Sequence, residues 1–129
     1  MVSVNKLIAE ADKLRINGKY EEAASLYAKL LEQNNDSAEA HAGLGLIYSF
    51  GWTSHASIDP FQEAIKELTA AVDINPNNAQ NQMYLAKAYQ QTGMYEESYV
   101  SFTKVLELDP GNAEAEKQIA FLRNFGIGD

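Results

Sequence analysis

The chain has 129 residues, no cysteine, and a net charge of −8 from 10 Lys and Arg against 18 Asp and Glu. This length sets the expectation of one domain, and the missing cysteines exclude disulfides, thiolate metal sites and thiol nucleophiles. An acidic balance in which no stretch is basic argues against nucleic acid and anionic membrane surfaces, both of which are held through Lys and Arg.

No apolar run approaches the roughly 18 residues of a membrane-spanning helix. The first fourteen positions carry Lys6, Glu10 and Asp12, so a secretory apolar core is not expected there. A cytoplasmic protein is the expectation. The acidic excess concentrates in residues 38–78, where Glu39, Asp59, Glu63, Glu67 and Asp73 face Lys66 alone.

In chain order, Leu7, Ile8, Ala11 and Leu14 form one apolar stripe and predict a helix over 4–16. Asn17 and Gly18 end it, glycine tolerating the left-handed closing geometry. A second helix is expected over 20–33, with Ala23, Tyr27, Leu30 and Leu31 inward. Its early Glu21 and Glu22 and late Lys29 suit the helix dipole. The third, 38–50, contains Gly43 and Gly45, each costing about 1 kcal/mol against alanine in an exposed helix interior. A nucleotide loop at Gly43-Leu44-Gly45 fails because no strand precedes it. After residues 51–59, Ser57 or Asp59 caps a fourth helix starting at Pro60 and running to Asn75. Helices over 79–91, 95–108 and 113–125 follow, and the tail 126–129 is expected to fray.

These elements repeat. Tyr20, Phe61 and Tyr95 open equivalent runs 41 and 34 residues apart, and Asn35, Pro76 and Pro110 close them at the same spacings. Leu14, Tyr48 and Tyr89 are spaced 34 and then 41. One period of 34 fits both series if seven extra residues lie between Tyr48 and Phe61.

A 34-residue unit of two helices resembles the tetratricopeptide repeat (TPR) family. The third unit matches at Leu85, Ala86, Tyr89, Gly93, Tyr95, Phe102 and Pro110, with Ser98 replacing the usual alanine and Gln82 the usual tryptophan. The second matches at Leu44, Gly45, Tyr48, Phe61, Ala64, Ala71 and Pro76. The first matches at Leu7, Ala11, Gly18, Tyr20, Ala23 and Tyr27, and departs at Glu10 and Asn35. The resemblance implies an all-α, right-handed α-solenoid of three helix-turn-helix units: repeat 4–37, repeat 38–78 with a seven-residue insertion between its helices, and repeat 79–112. A seventh helix, 113–125, serves as the capping helix, all within a single domain 1–129. Glu116 and Arg123 in that helix stand where the pattern wants aromatics, as befits a face with no neighbour.

By the same resemblance, the first helix of each unit lines a concave groove. The expected partner-binding residues are Ile8, Asp12, Ile16, Leu46, Phe50, Gln80, Met83, Tyr84, Lys87, Gln91 and Phe121. Chaperone adaptors of the family grip carboxylate-terminated tails through lysines, an arginine and asparagines. The matching positions here, Ile8, Asp12, Gly43, Gln80 and Tyr84, supply none of those donors, so no dicarboxylate clamp is expected. The groove offers instead an apolar strip suited to burying a partner segment. The insertion carries Trp52, the only tryptophan, and His55. Either Trp52 and His55 contact a partner, or Trp52 folds back as a plug over helices three and four.

Ser54, His55 and Asp59 share one short segment and lack the rigid orientation a catalytic triad needs. His41 reads as a packing histidine, and no histidine pair has helical ligand spacing. No enzyme activity, cofactor or metal is expected. The leading expectation is a non-catalytic protein-interaction module or scaffold with a protein or peptide partner, present as a monomer or weak homo-oligomer. The alternatives are a homo-oligomerising assembly protein and a dedicated chaperone for a secreted or assembled substrate.

Overall fold

The structure, a computed structural model, describes residues 3–128. Its seven helices are α1 (Val4–Ile16), α2 (Tyr20–Gln33), α3 (Ala38–Ser49), α4 (Pro60–Ile74), α5 (Ala79–Gln91), α6 (Tyr95–Leu108) and α7 (Ala113–Asn124). No strand occurs among the described residues, so the class is all-α. Residues 17–19 join α1 to α2 and residues 92–94 join α5 to α6, whereas residues 50–59 join α3 to α4. The seven additional residues inferred from the period therefore sit in this one connection.

Four helices start on the same device. The side chains of Ser3, Ser37, Asn78 and Asn112 accept the backbone N–H of Lys6, Ala40, Asn81 and Ala115 at 3.2, 3.2, 2.9 and 2.9 Å. Each satisfies a donor that the first helical turn leaves orphaned. For α4, Asp59 does this by accepting from Phe61 N–H at 3.0 Å. The second helices α2 and α6 have no such side-chain cap and instead place Glu21, Glu22 and Glu96, Glu97 in their first turns. The carboxylates there oppose the positive end of the helix dipole.

The helix ends are equally regular. Lys19 N–H returns to Leu14 C=O at 2.8 Å and Met94 N–H to Tyr89 C=O at 2.9 Å. Gly18 and Gly93, at φ 79° and 78°, make those reversals possible where a side chain would be strained. After α3 the amide of Trp52 makes no equivalent return, and the chain runs on into the long connection.

Helices α1–α4 form one compact unit and α5–α7 a second. In the first, Ala11, Ala23, Tyr27, Leu30, Ala40, Leu44 and Ile47 make the core. Gly45 lets α3 approach α4 closely, since a Cβ there would lie 2.6 Å from Leu68 Cγ. Gly43 has an equally steric reason that the repeat pattern does not reveal. A Cβ at that position would come within 2.2 Å of Tyr27 Cζ. The ring of Tyr27, fully buried, occupies the space a side chain would need. His41 fastens α3 to α4, its Nδ1 lying 2.7 Å from the Glu67 carboxylate and its Nε2 3.0 Å from the Asn35 carbonyl.

In the second unit Met83, Ala86, Phe102, Val105, Ala115, Ile119 and Leu122 make the core. Ser98, in place of the usual alanine, is fully buried and donates its hydroxyl to Ala86 C=O at 2.9 Å, so its polarity is satisfied. The tail does not fray as expected through residue 128. Ile127 N–H bonds to Leu122 C=O at 3.1 Å, and the Ile127 side chain packs on the core. Asp129, also in that expectation, lies outside the described residues.

Candidate functional site

Within α1–α4, the expected partner-facing residues fall into two groups. Ile16 and Phe50 are 74 % and 69 % exposed, large apolar side chains that the core does not use. Phe50 stacks on Tyr20, ring centroids 6.0 Å apart and nearly parallel, so the two aromatics form one ledge beside the α1–α2 turn. Ile8 and Leu46 are half-buried. Asp12 is already engaged: it accepts the hydroxyl proton of Tyr27 and lies 3.6 Å from Arg15 Nη2. Arg15 Nε donates in turn to the Tyr27 oxygen at 3.1 Å. Burial, then the hydrogen bond to Asp12, push the Tyr27 phenol up to about 12, with Arg15 opposing.

Within α5–α7, Gln80, Lys87 and Gln91 are exposed and Tyr84 is half-buried. Met83 is 5 % exposed and belongs to the core, because it points onto Phe102 and the α7 side chains rather than outward. Lys87 pairs with Glu114 at 2.8 Å and Gln90 donates to Gln118 at 2.9 Å, two polar links between α5 and α7. Phe121 and Phe125, 50 % and 72 % exposed, pack on each other at 5.0 Å. With Tyr95, Leu122 and Ile127 they line an open apolar cleft of about 280 Å³. Tyr95 and Ile127 were not among the expected site residues; only the docked tail brings Ile127 there.

In the α3–α4 connection Trp52 is half-buried and stacks on Tyr48, centroids 6.5 Å apart, while His55 is exposed. Trp52 thus packs against the edge of the first core. Among the described residues no cluster of His, Cys, Asp or Glu could hold a metal, and no helix is long and apolar enough to cross a membrane.

Capped helix hairpins recurring on one period, with a glycine-closed turn inside the first and third, define a helical-repeat protein. Residues 11–49 match the family described as TPR repeat, and residues 79–112 the family described as Tetratricopeptide repeat. The chain belongs to the tetratricopeptide repeat family. It is 28 % identical over 115 residues to a probable UDP-N-acetylglucosamine–peptide N-acetylglucosaminyltransferase, SPINDLY, of Solanum lycopersicum, covering 89 % of this chain and 12 % of that protein's length. The fold is similar to the first TPR of Spaghetti (RPAP3) bound to the HSP90 peptide SRMEEVD, with TM-score 0.81 and 22 % identity over 92 % of this chain and 89 % of that one. It is also similar to the Yersinia enterocolitica type III secretion chaperone SycD in complex with a peptide of the translocator YopD. There the TM-score is 0.81 and the identity 16 %, over 95 % of this chain and 94 % of that one.

Proposed function

We propose that the protein is a non-catalytic interaction module whose first helices hold segments of a protein partner. The observation that carries this reading is the pair Ile16 and Phe50, large apolar side chains left 74 % and 69 % exposed while the core beneath is complete. Side chains of this size supply apolar area that a partner segment can bury. Tyr84, Gln80, Lys87 and Gln91 on α5 and Phe121 on α7 are the corresponding contacts of the second unit. Further support comes from the two similar structures, each holding a peptide, one of HSP90 and one of a secretion translocator.

Recognition of an acidic carboxylate-terminated tail is not part of this reading. Ile8, Asp12, Gly43, Gln80 and Tyr84 offer no cation, Tyr27 fills the space above Gly43, and the net charge of −8 repels such a tail. The same charge disfavours nucleic acid and anionic membranes. A cytoplasmic location, a single continuous domain and a monomeric or weakly self-associating state complete the proposal. The transferase named among the relatives does not extend catalysis to this chain, which matches only 12 % of it.

The test is a peptide-display selection on the full chain, with the Ile16→Glu, Phe50→Glu double variant used only afterwards to measure the selected peptides. Selected peptides should bind the variant at least roughly tenfold more weakly, the loss of one or two buried apolar contacts, while its far-ultraviolet circular dichroism is unchanged. The peptide SRMEEVD should not bind. Selected peptides indifferent to the double variant, or binding of SRMEEVD, would overturn the reading.

A further inference from the structure

A cleft of about 270 Å³ opens between α2, α3 and the long connection. Glu21, Ser25 and Ala28 line it from α2, Tyr48 from α3, and Trp52 and Ser54 from the connection. Small α2 side chains and Leu44 contribute to its lining, together with the two stacked aromatics and one carboxylate, Glu21. No basic residue lines it. Glu21 makes no ion pair among the described residues. Lys29, the basic residue of α2, borders an adjoining depression that shares Glu21 and Ser25 with this cleft, but does not itself line the cleft.

We propose that this cleft binds an arginine side chain of a partner protein, its guanidinium against the Tyr48 and Trp52 rings and paired with Glu21. Charge complementarity selects the occupant. A cation is attracted by aromatic rings and by the carboxylate together, and a planar guanidinium can stack and donate in one pose. The Ser25 and Ser54 hydroxyls accept further N–H groups. The field around Tyr48 has the matching sign. Its phenol is pushed up first by burial and then by the carboxylates of Glu67 and Glu63. Of these, Glu67 is taken by His41, and neither lines the cleft, whose own carboxylate is Glu21. The insertion thereby gains a role: without its residues the cleft would have neither Trp52 nor Ser54. The inference does not depend on the exposed faces of α1 and α3.

Trp52 is the only tryptophan, so its fluorescence reports on this cleft alone. The full chain is titrated with an acetylated, amidated Gly/Ser peptide bearing a single central arginine, and with its uncharged citrulline counterpart. A saturable change with arginine, and binding roughly tenfold weaker with citrulline, is expected. Glu21→Gln should weaken the arginine peptide about threefold to fivefold, since Glu21 is exposed. Ala28→Leu, an exchange between two strong helix formers at an exposed position, should fill the cleft and abolish saturation without altering circular dichroism. Absence of saturation, equal binding of citrulline, or indifference to both variants would overturn the proposal. A lysine peptide bound as tightly as the arginine one would overturn the guanidinium assignment.

Discussion

Gly43→Ala is expected to destabilise the protein although alanine is the better helix former. The new Cβ would fall 2.2 Å from Tyr27 Cζ and 2.6 Å from both Cε atoms. That ring cannot swing aside freely: it is fully buried, and its hydroxyl is held by Asp12 and Arg15. Forcing a methyl into a filled core costs about 1–3 kcal/mol. Disturbing a hydrogen bond to charged partners adds about 1.5–3 kcal/mol, and helix propensity returns about 1 kcal/mol. The net loss is about 1.5–5 kcal/mol, or a fall in Tm of roughly 6–20 °C for a chain of this size. Urea denaturation followed by circular dichroism measures it. In a Tyr27→Leu background the clash is relieved, so Gly43→Ala should become neutral or stabilising by about 1 kcal/mol. A wild-type background in which Gly43→Ala leaves Tm unchanged or raises it would refute the steric account.

Because the folded Tyr27 phenol is pushed up to about 12, the folded state holds its proton where the unfolded chain, near 10, has lost it. Stability from this group is complete below about pH 10 and should decline between about pH 10 and 12, by on the order of 2 kcal/mol. Tyr27→Phe should remove that slope relative to wild type in parallel urea titrations at rising pH. His41→Ala strips the half-buried Glu67 carboxylate of its partner and frees the Asn35 carbonyl. It should cost about 1–3 kcal/mol in urea denaturation, with unchanged binding of any peptide selected on the α1 and α3 faces.

Periodicity carried most of the fold. The expected starts of α1, α2, α3 and α5, α6, α7 coincide with the observed ones, and the ends differ by at most one residue. Ser37, Asn78 and Asn112 could have been read as caps too, since they keep the same 34- and 41-residue spacing as the tyrosines. Gly43 could not be explained from its own repeat, because the side chain that demands it is Tyr27, sixteen positions away on another helix. Met83 shows the corresponding limit for the site. A repeat position assigns a residue to a helix face, but whether that face is covered depends on neighbours such as Phe102. Trp52 lies between these cases: its location in an insertion was readable, its stacking on Tyr48 was not. The arginine cleft was invisible for the same reason, since its parts come from α2, α3 and the connection.

Helix α3 has a consequence for how the first unit folds. Seven of its 12 residues are buried, among them both glycines and three alanines, so little of it is self-sufficient. A short helix with two glycines does not persist alone in water. It forms only as Tyr27 of α2 and Leu68 of α4 close over the two glycine notches. The amides of α3 should therefore exchange with solvent only when α2 and α4 open as well, which makes the least robust helix the one whose protection reports on the whole unit.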